Sequence, residues 1–261
     1  MAEQNILNLF FKEIGIACNT NQFMELAIRL MRKGCSCSFQ DDLLLKKMAH
    51  GYGLSISNYT NDISQNVVFC YLTTINSSLQ EFLSRYKKLV GSATHNETYD
   101  NRSDEGKLLW TIRMVSAEMG AFEKDAVNIC EYYRLLRNQF IHSGEGSSRI
   151  NVLYGKLQNV AGMYKKSKLS KILCAPSDKE HLNYDDQVLF ARASCLIAEF
   201  IYKNTKYNWN AILESKREKI KPFLKRSERN TNSIISMLRK EYPIGEEEKK
   251  KLTLAIDAIM I

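Results

Sequence analysis

An all-α fold is predicted for this chain, and three observations predict it. Apolar residues recur at three- and four-residue steps over long stretches, one of them running for roughly seven turns. Prolines number three and glycines twelve in 261 residues, few for a loop-rich β protein. Hydrophobic content of 44% and charged content of 25% are ordinary for a globular protein, and the length suffices to bury a core as one large or two small domains. The helical pattern falls into three parts: an N-terminal helical segment over 1–55, a helical bundle over 60–205 and a basic helical segment over 206–261.

The first part reads as two or three short helices. Ile6, Leu7, Leu9, Phe10 and Ile14, then Phe23, Leu26, Ala27, Leu30 and Met31, keep helical spacing, with Asn21 as N-cap and Gly34 as stop. From Asn61 or Asp62 to about Leu89, Ile63, Val67, Val68, Tyr71, Leu72, Ile75, Leu79, Phe82, Leu83 and Tyr86 form one broad apolar face, with Lys87 and Lys88 near the end where cations suit the helix dipole. Gly91 to Gly106 lacks periodicity and reads as an exposed loop carrying His95. Leu108 to Met119 is a short helix, and Ala121 to His142 a longer one whose stripe is Ala126, Ile129, Cys130, Tyr133, Leu136 and Phe140. Gly144 to Ser148 is a flexible turn, Arg149 to Met163 weakly helical, and Lys165, Lys166, Lys168 and Lys171 follow near the motif described below, either as a solvated loop or in reach of a phosphate backbone. Asp185 to Asn204 is strongly apolar and expected to pack on the Ala121–His142 helix. In the tail, Ile234 to Leu238 and Leu252 to Ile261 supply two more apolar faces, and Glu246 to Lys251 alternates blocks of charge able to pair at i,i+3 and i,i+4.

A net charge of +8 makes a polyanion a natural partner, since clustered Lys and Arg release counterions from phosphates. Between Lys216 and Arg229 the tail holds seven basic and two acidic residues. The seven cysteines are odd in number and scattered, so they outline no disulfide framework and point to a reducing compartment. Cys35 and Cys37 have no second pair to complete a zinc site, and no metal or other cofactor is expected. Glu3, Lys12 and Glu13 interrupt the apolar residues of the first segment, and no run reaches the roughly 18 to 20 residues needed to span a bilayer. A cytoplasmic protein without membrane contact is expected.

Chemistry concentrates at Glu131-Tyr-Tyr-Arg-Leu-Leu-Arg-Asn-Gln-Phe-Ile-His142, where Arg137, Asn138 and His142 place a cation, an amide and an imidazole at the end of an amphipathic helix that Gly144 stops. Asn138 and His142 are four apart and share a face. Arg137 and His142 are five apart, about 140° around an ideal helix. Either the last turn unwinds before Gly144, or a second copy of the motif completes the site across a dimer.

These residues resemble the signature of the HEPN superfamily (higher eukaryotes and prokaryotes nucleotide-binding): an Arg, a polar residue, three intervening positions and a His, here Arg137 to His142. The resemblance covers the middle 150 residues or so. It implies a helical bundle, here with additional N- and C-terminal helices, and a homodimer whose two motifs share one cleft. It also implies a metal-independent endoribonuclease of a toxin–antitoxin, abortive-infection or antiviral defence system, with RNA as substrate and an antitoxin or other regulatory protein as partner. Toxins of this family that a nucleotidyltransferase antitoxin silences commonly carry a Tyr two positions after the His. Gly144 stands there in this chain, so that form of control is not expected.

The residue chemistry agrees with the implied reaction. RNA carries its own nucleophile in the 2′-hydroxyl; cleavage needs a proton acceptor, charge stabilisation at phosphorus and a proton for the leaving 5′-oxygen. An imidazole titrating near neutrality can serve the proton transfers and a guanidinium can hold the phosphate through paired donors. His142 is then the general acid/base, Arg137 the phosphate clamp, and Asn138 orients the imidazole or binds a phosphate oxygen. The alternative is a non-catalytic module of the same fold that binds RNA or a protein partner.

Overall fold

The computed structural model describes residues 5–34, 50–51, 62–91, 106–115, 117–142, 147–164, 175–225 and 227–259. Among them there are helices and no strand, so the fold is all-α. The helices are α1 (Ile6–Gly34), α2 (Asp62–Gly91), α3 (Lys107–Val115), α4 (Ala121–His142), α5 (Ser147–Tyr164), α6 (Tyr184–Asn204), α7 (Trp209–Ser215), α8 (Arg217–Ile220), α9 (Glu228–Leu238) and α10 (Glu246–Ile259), with a 3-10 turn at Lys221–Phe223. None is long and apolar enough to cross a membrane. The loop with His95, the Cys35–Cys37 pair and the lysines from Lys165 to Lys171 lie outside the described residues.

Where the apolar period is unbroken, the helices run as the sequence predicts. On α2, Val68, Tyr71, Leu72, Ile75, Leu79, Phe82, Leu83 and Tyr86 are all buried. Two segments differ. The expected pair of short helices at the N-terminus is a single helix, α1, and Asn21 is no cap: it is buried in mid-helix and donates to Thr74 Oγ1 at 3.4 Å. Its amide is satisfied by another helix rather than by the backbone donors that an N-cap serves. The second half of the α1 stripe also faces outward, with Phe23 at 75% exposure and Leu26 and Leu30 above half. Helix α3 ends at Val115, a turn before Met119, and residues 117–120 are non-helical. There the chain turns into α4: Lys124 N–H bonds back to Gly120 C=O, and the Glu123 carboxylate folds over Gly120, 2.7 Å from where a Cβ would stand. Glycine is the residue that leaves room for this close approach.

The chain divides into two compact units. Unit 1 is Met1–Glu13, Ser77–Val127 and Cys195–Ile261; unit 2 is Ile14–Asn76 and Asn128–Ser194. In unit 1, Phe10 packs on Phe82 with ring centres 5.0 Å apart, Arg85 bonds Glu13 at 2.7 Å, and the Tyr86 and Thr205 hydroxyls meet at 2.7 Å. The tail within unit 1 has a core of its own, in which α7, α9 and α10 bury Trp209, Ile212, Leu213, Ile234, Leu238, Leu252 and Ile256. Each end of this core is tied by a polar bond: Trp209 Nε1 donates to Glu248 at 2.7 Å and Lys216 Nζ to Glu241 at 2.6 Å. The charge run opening α10 pairs as expected, with Lys251 2.9 Å from both Glu247 and Glu248.

In unit 2, α6 packs on α4 as the sequence predicts. Tyr133 meets Phe190 at 5.3 Å between ring centres, and Cys130 Sγ lies 3.8 Å from Ser194 Oγ. Helix α6 opens with a reciprocal cap: Asn183 Oδ1 accepts from Asp185 N–H at 2.9 Å while the Asp186 carboxylate accepts from Asn183 N–H at 2.8 Å.

Candidate active site on the motif helix

The motif residues sit at the C-terminal end of α4 in unit 2, and two buried carboxylates secure the helix below them. Glu131, 2% exposed, takes a two-pronged bond from Arg134, Nε to Oε1 at 3.0 Å and Nη2 to Oε2 at 2.8 Å, and Arg149 of α5 approaches at 3.6 Å. Forked guanidinium–carboxylate geometry satisfies a buried anion that would otherwise be costly. Asp186, fully buried, accepts from the Tyr133 hydroxyl at 2.6 Å and from Ser177 N–H and Asn183 N–H at 2.8 Å each. The neighbouring Tyr132 donates to Ser177 C=O at 2.6 Å. Burial pushes the Asp186 carboxyl above its usual range, against the pull of those donors; burial, and then the nearby Asp186, push the Tyr133 hydroxyl well up. This cluster pins the 175–183 segment to α4. Its groups are consumed by one another, so it is scaffold rather than chemistry.

One turn above Tyr133 the character changes. Arg137 is half-buried; its Nη1 donates to Asn138 Oδ1 at 3.0 Å, and its Nε is buried with no hydrogen-bond partner among the described residues. A buried guanidinium nitrogen without an acceptor is uncommon and costs free energy. Asn138 is thereby bound to Arg137, a contact that adds to the imidazole- or phosphate-orienting part the sequence predicts for it. The next turn bears Phe140 and Ile141, 47% and 44% exposed. Phe140 leaves the buried stripe expected for it and stacks on Phe69 of α2, ring centres 4.0 Å apart and planes 8° from parallel. His142 is the final residue of α4, and its side chain lies outside the described residues.

Helix α4 stays helical from Arg137 to His142. Of the two ways of bringing these residues to one phosphate, unwinding of the turn between them is thus not adopted, and the roughly 140° between the two positions persists. Sequence reasoning missed Asp186 and Phe69. For Asp186 a signal exists in Asn183-x-x-Asp186, the spacing of a capping box, though nothing local announces the bond to Tyr133, fifty-three residues away. For Phe69 no signal separates it from its neighbours in a buried stripe.

No protein-family model, curated protein or solved structure matches this chain.

Proposed function

We propose that the chain is a metal-independent endoribonuclease of the HEPN type, acting in the cytoplasm as a homodimer in which two copies of Arg137, Asn138 and His142 form one composite site. The observation that carries the reading is Arg137. Its guanidinium is half-buried and oriented by Asn138 through Nη1, and a guanidinium fixed at the end of the motif helix suits paired donation to a phosphate. His142, on the following turn, supplies proton transfer. Because the intervening turn is helical, the His142 that works with a given Arg137 comes from the second copy. Attack by the 2′-hydroxyl then gives a 2′,3′-cyclic phosphate and a 5′-hydroxyl end. Activity of this kind calls for restraint in the cell, and an antitoxin or other regulatory protein is the proposed partner.

The exposure of Phe140 and Ile141 beside the motif favours a second reading, in which this turn binds RNA or a protein without chemistry. Cleavage of total RNA by the purified chain in chelator, with end-group analysis and native mass, separates the two. The nuclease reading expects cyclic phosphate ends and a dimer, with turnover lowered at least about a hundredfold in folded His142→Ala and Arg137→Ala chains. Parent and variants that are equally inert yet bind RNA would move the assignment to the binding module.

A further inference from the structure

The positive charge of this chain is gathered in one place. Residues 205–245 hold ten Lys or Arg against four Asp or Glu, +6 of the chain's +8. Part of it is tied down: Lys216 bonds Glu241, Arg217 bonds Glu214 at 3.1 Å, and Lys221 stands 4.0 Å from Glu218. Three of the remaining cations lie on α9 and its C-terminal turn. Arg229, Arg239 and Lys240 are exposed, and among the described residues no ion pair engages them.

Helix α9 is strictly two-sided. Ile234, Ile235 and Leu238 are buried in the tail's core. On the opposite side, Arg229, Asn232, Ser233, Ser236 and Lys240 lie along one open face of the helix and its C-terminal turn. Spacing of three, four and seven residues sets Arg229, Asn232, Ser233 and Ser236 on one face of the helix, and Lys240 follows in the turn after Leu238, with short hydroxyl and amide side chains between the two cations. Asn232 and Ser236 are exposed, while Ser233 Oγ donates to Arg229 C=O at 2.9 Å. Glu228 is the acid among the residues of this face and sits in the first turn, where a carboxylate suits the helix dipole.

We infer that this face of α9 is a second RNA-binding surface that grips the phosphate backbone of a strand, apart from the Arg137 motif. Regularly spaced phosphates are held by Arg and Lys together with Ser and Asn donors, and short side chains let the backbone come close. A membrane-surface helix would present Trp, Phe or Leu along the polar boundary, and a docked peptide helix would need apolar anchors at i and i+4; among the described residues of this face the apolar one is Met237. That the polyanion is RNA rests on the proposed nuclease reading. The contacts reach phosphate rather than bases, so binding is indifferent to sequence and strongly salt-dependent.

The test uses the full chain carrying His142→Ala, so that the probe survives, and a fluorescent polyuridine strand titrated by anisotropy across a range of potassium chloride. Adding Arg229→Ala with Lys240→Ala should weaken binding and flatten the slope of log affinity against log salt by about 1.4, two phosphates at roughly 0.7 each for a single strand. The exposed pair Lys156→Ala with Lys179→Ala removes the same charge elsewhere and should leave the slope near its parent value. The inference is overturned if the α9 pair binds as the parent does, if the control pair flattens the slope equally, or if the chain ignores RNA and floats with phosphatidylserine vesicles. A parent that never cleaves RNA but loses its binding with the α9 pair defeats the nuclease reading and keeps this one. A parent that cleaves, with binding and KM untouched by the α9 pair, does the reverse.

Discussion

The motif half of unit 2 and the tail core of unit 1 bury polar groups in opposite ways. The buried polar atoms that lack a hydrogen-bond partner among the described residues, Tyr71 Oη, Asn76 Oδ1, Arg137 Nε and Gln187 Oε1 among them, all belong to unit 2. The tail core places its polar groups at its margin and pairs them: Trp209 with Glu248, Lys216 with Glu241, and Tyr202 with Glu241 C=O at 2.8 Å. Pairing of this kind at the margin favours stability. Orphaned groups inside a helical layer cost stability, and one of them, Arg137 Nε, belongs to the motif itself.

The contrast breaks most sharply at Asp186. Asp186→Ala strips the acceptor from Tyr133 Oη, Ser177 N–H and Asn183 N–H at once, and at about 1–3 kcal/mol per orphaned buried donor the loss should exceed roughly 3 kcal/mol in urea denaturation. A loss under 1 kcal/mol would mean that the cluster does not hold the motif helix. A matched pair of hydroxyl deletions sharpens the comparison. Tyr202→Phe removes a made bond and should cost about 1 kcal/mol, whereas Tyr71→Phe removes a hydroxyl that burial has pushed up to about 12 and that has no hydrogen-bond partner among the described residues, so it should be neutral or stabilising by up to about 1 kcal/mol. Equal costs would erase the distinction between the regions.

The smallest effect belongs to the exposed His181–Asp178 pair, 2.8 Å apart in the 175–183 segment. The bond to Asp178 raises the His181 pKa above 6.5, and the same bond lowers that of Asp178 below 3.8. Its stabilisation is therefore complete only between those two values. It fades as pH climbs through the raised histidine value, and again as pH falls through the lowered aspartate value. With His181 77% exposed, His181→Ala should scarcely move Tm at any pH, while an NMR titration of the ring should show the upward shift and lose it in Asp178→Asn.

Helices were legible wherever burial is one-sided and the period unbroken, as on α2 and α6, because a 3.6-residue repeat of Leu, Ile, Phe and Tyr has one economical solution. The reading failed where a residue's type suits two environments. Asn21 has the chemistry of a cap, and only Thr74, fifty-three positions on, makes it a mid-helix residue. Phe140 keeps the spacing of a core residue, yet half of it faces solvent. Arg137, Asn138 and His142 could be named from residue chemistry. That Asn138 bonds its neighbour Arg137 depends on rotamers, which sequence spacing does not encode.

The bonds around Asp186 also govern a part of the chain that looks like ordinary loop. Ser177 and Asn183 lie outside any helix, yet both amide hydrogens are given to a buried carboxylate, and Tyr132 clamps the Ser177 carbonyl. In deuterium oxide these two amides should retain protium about as long as those in the middle of α4, their release requiring the opening of α4 from α6 rather than a local flicker.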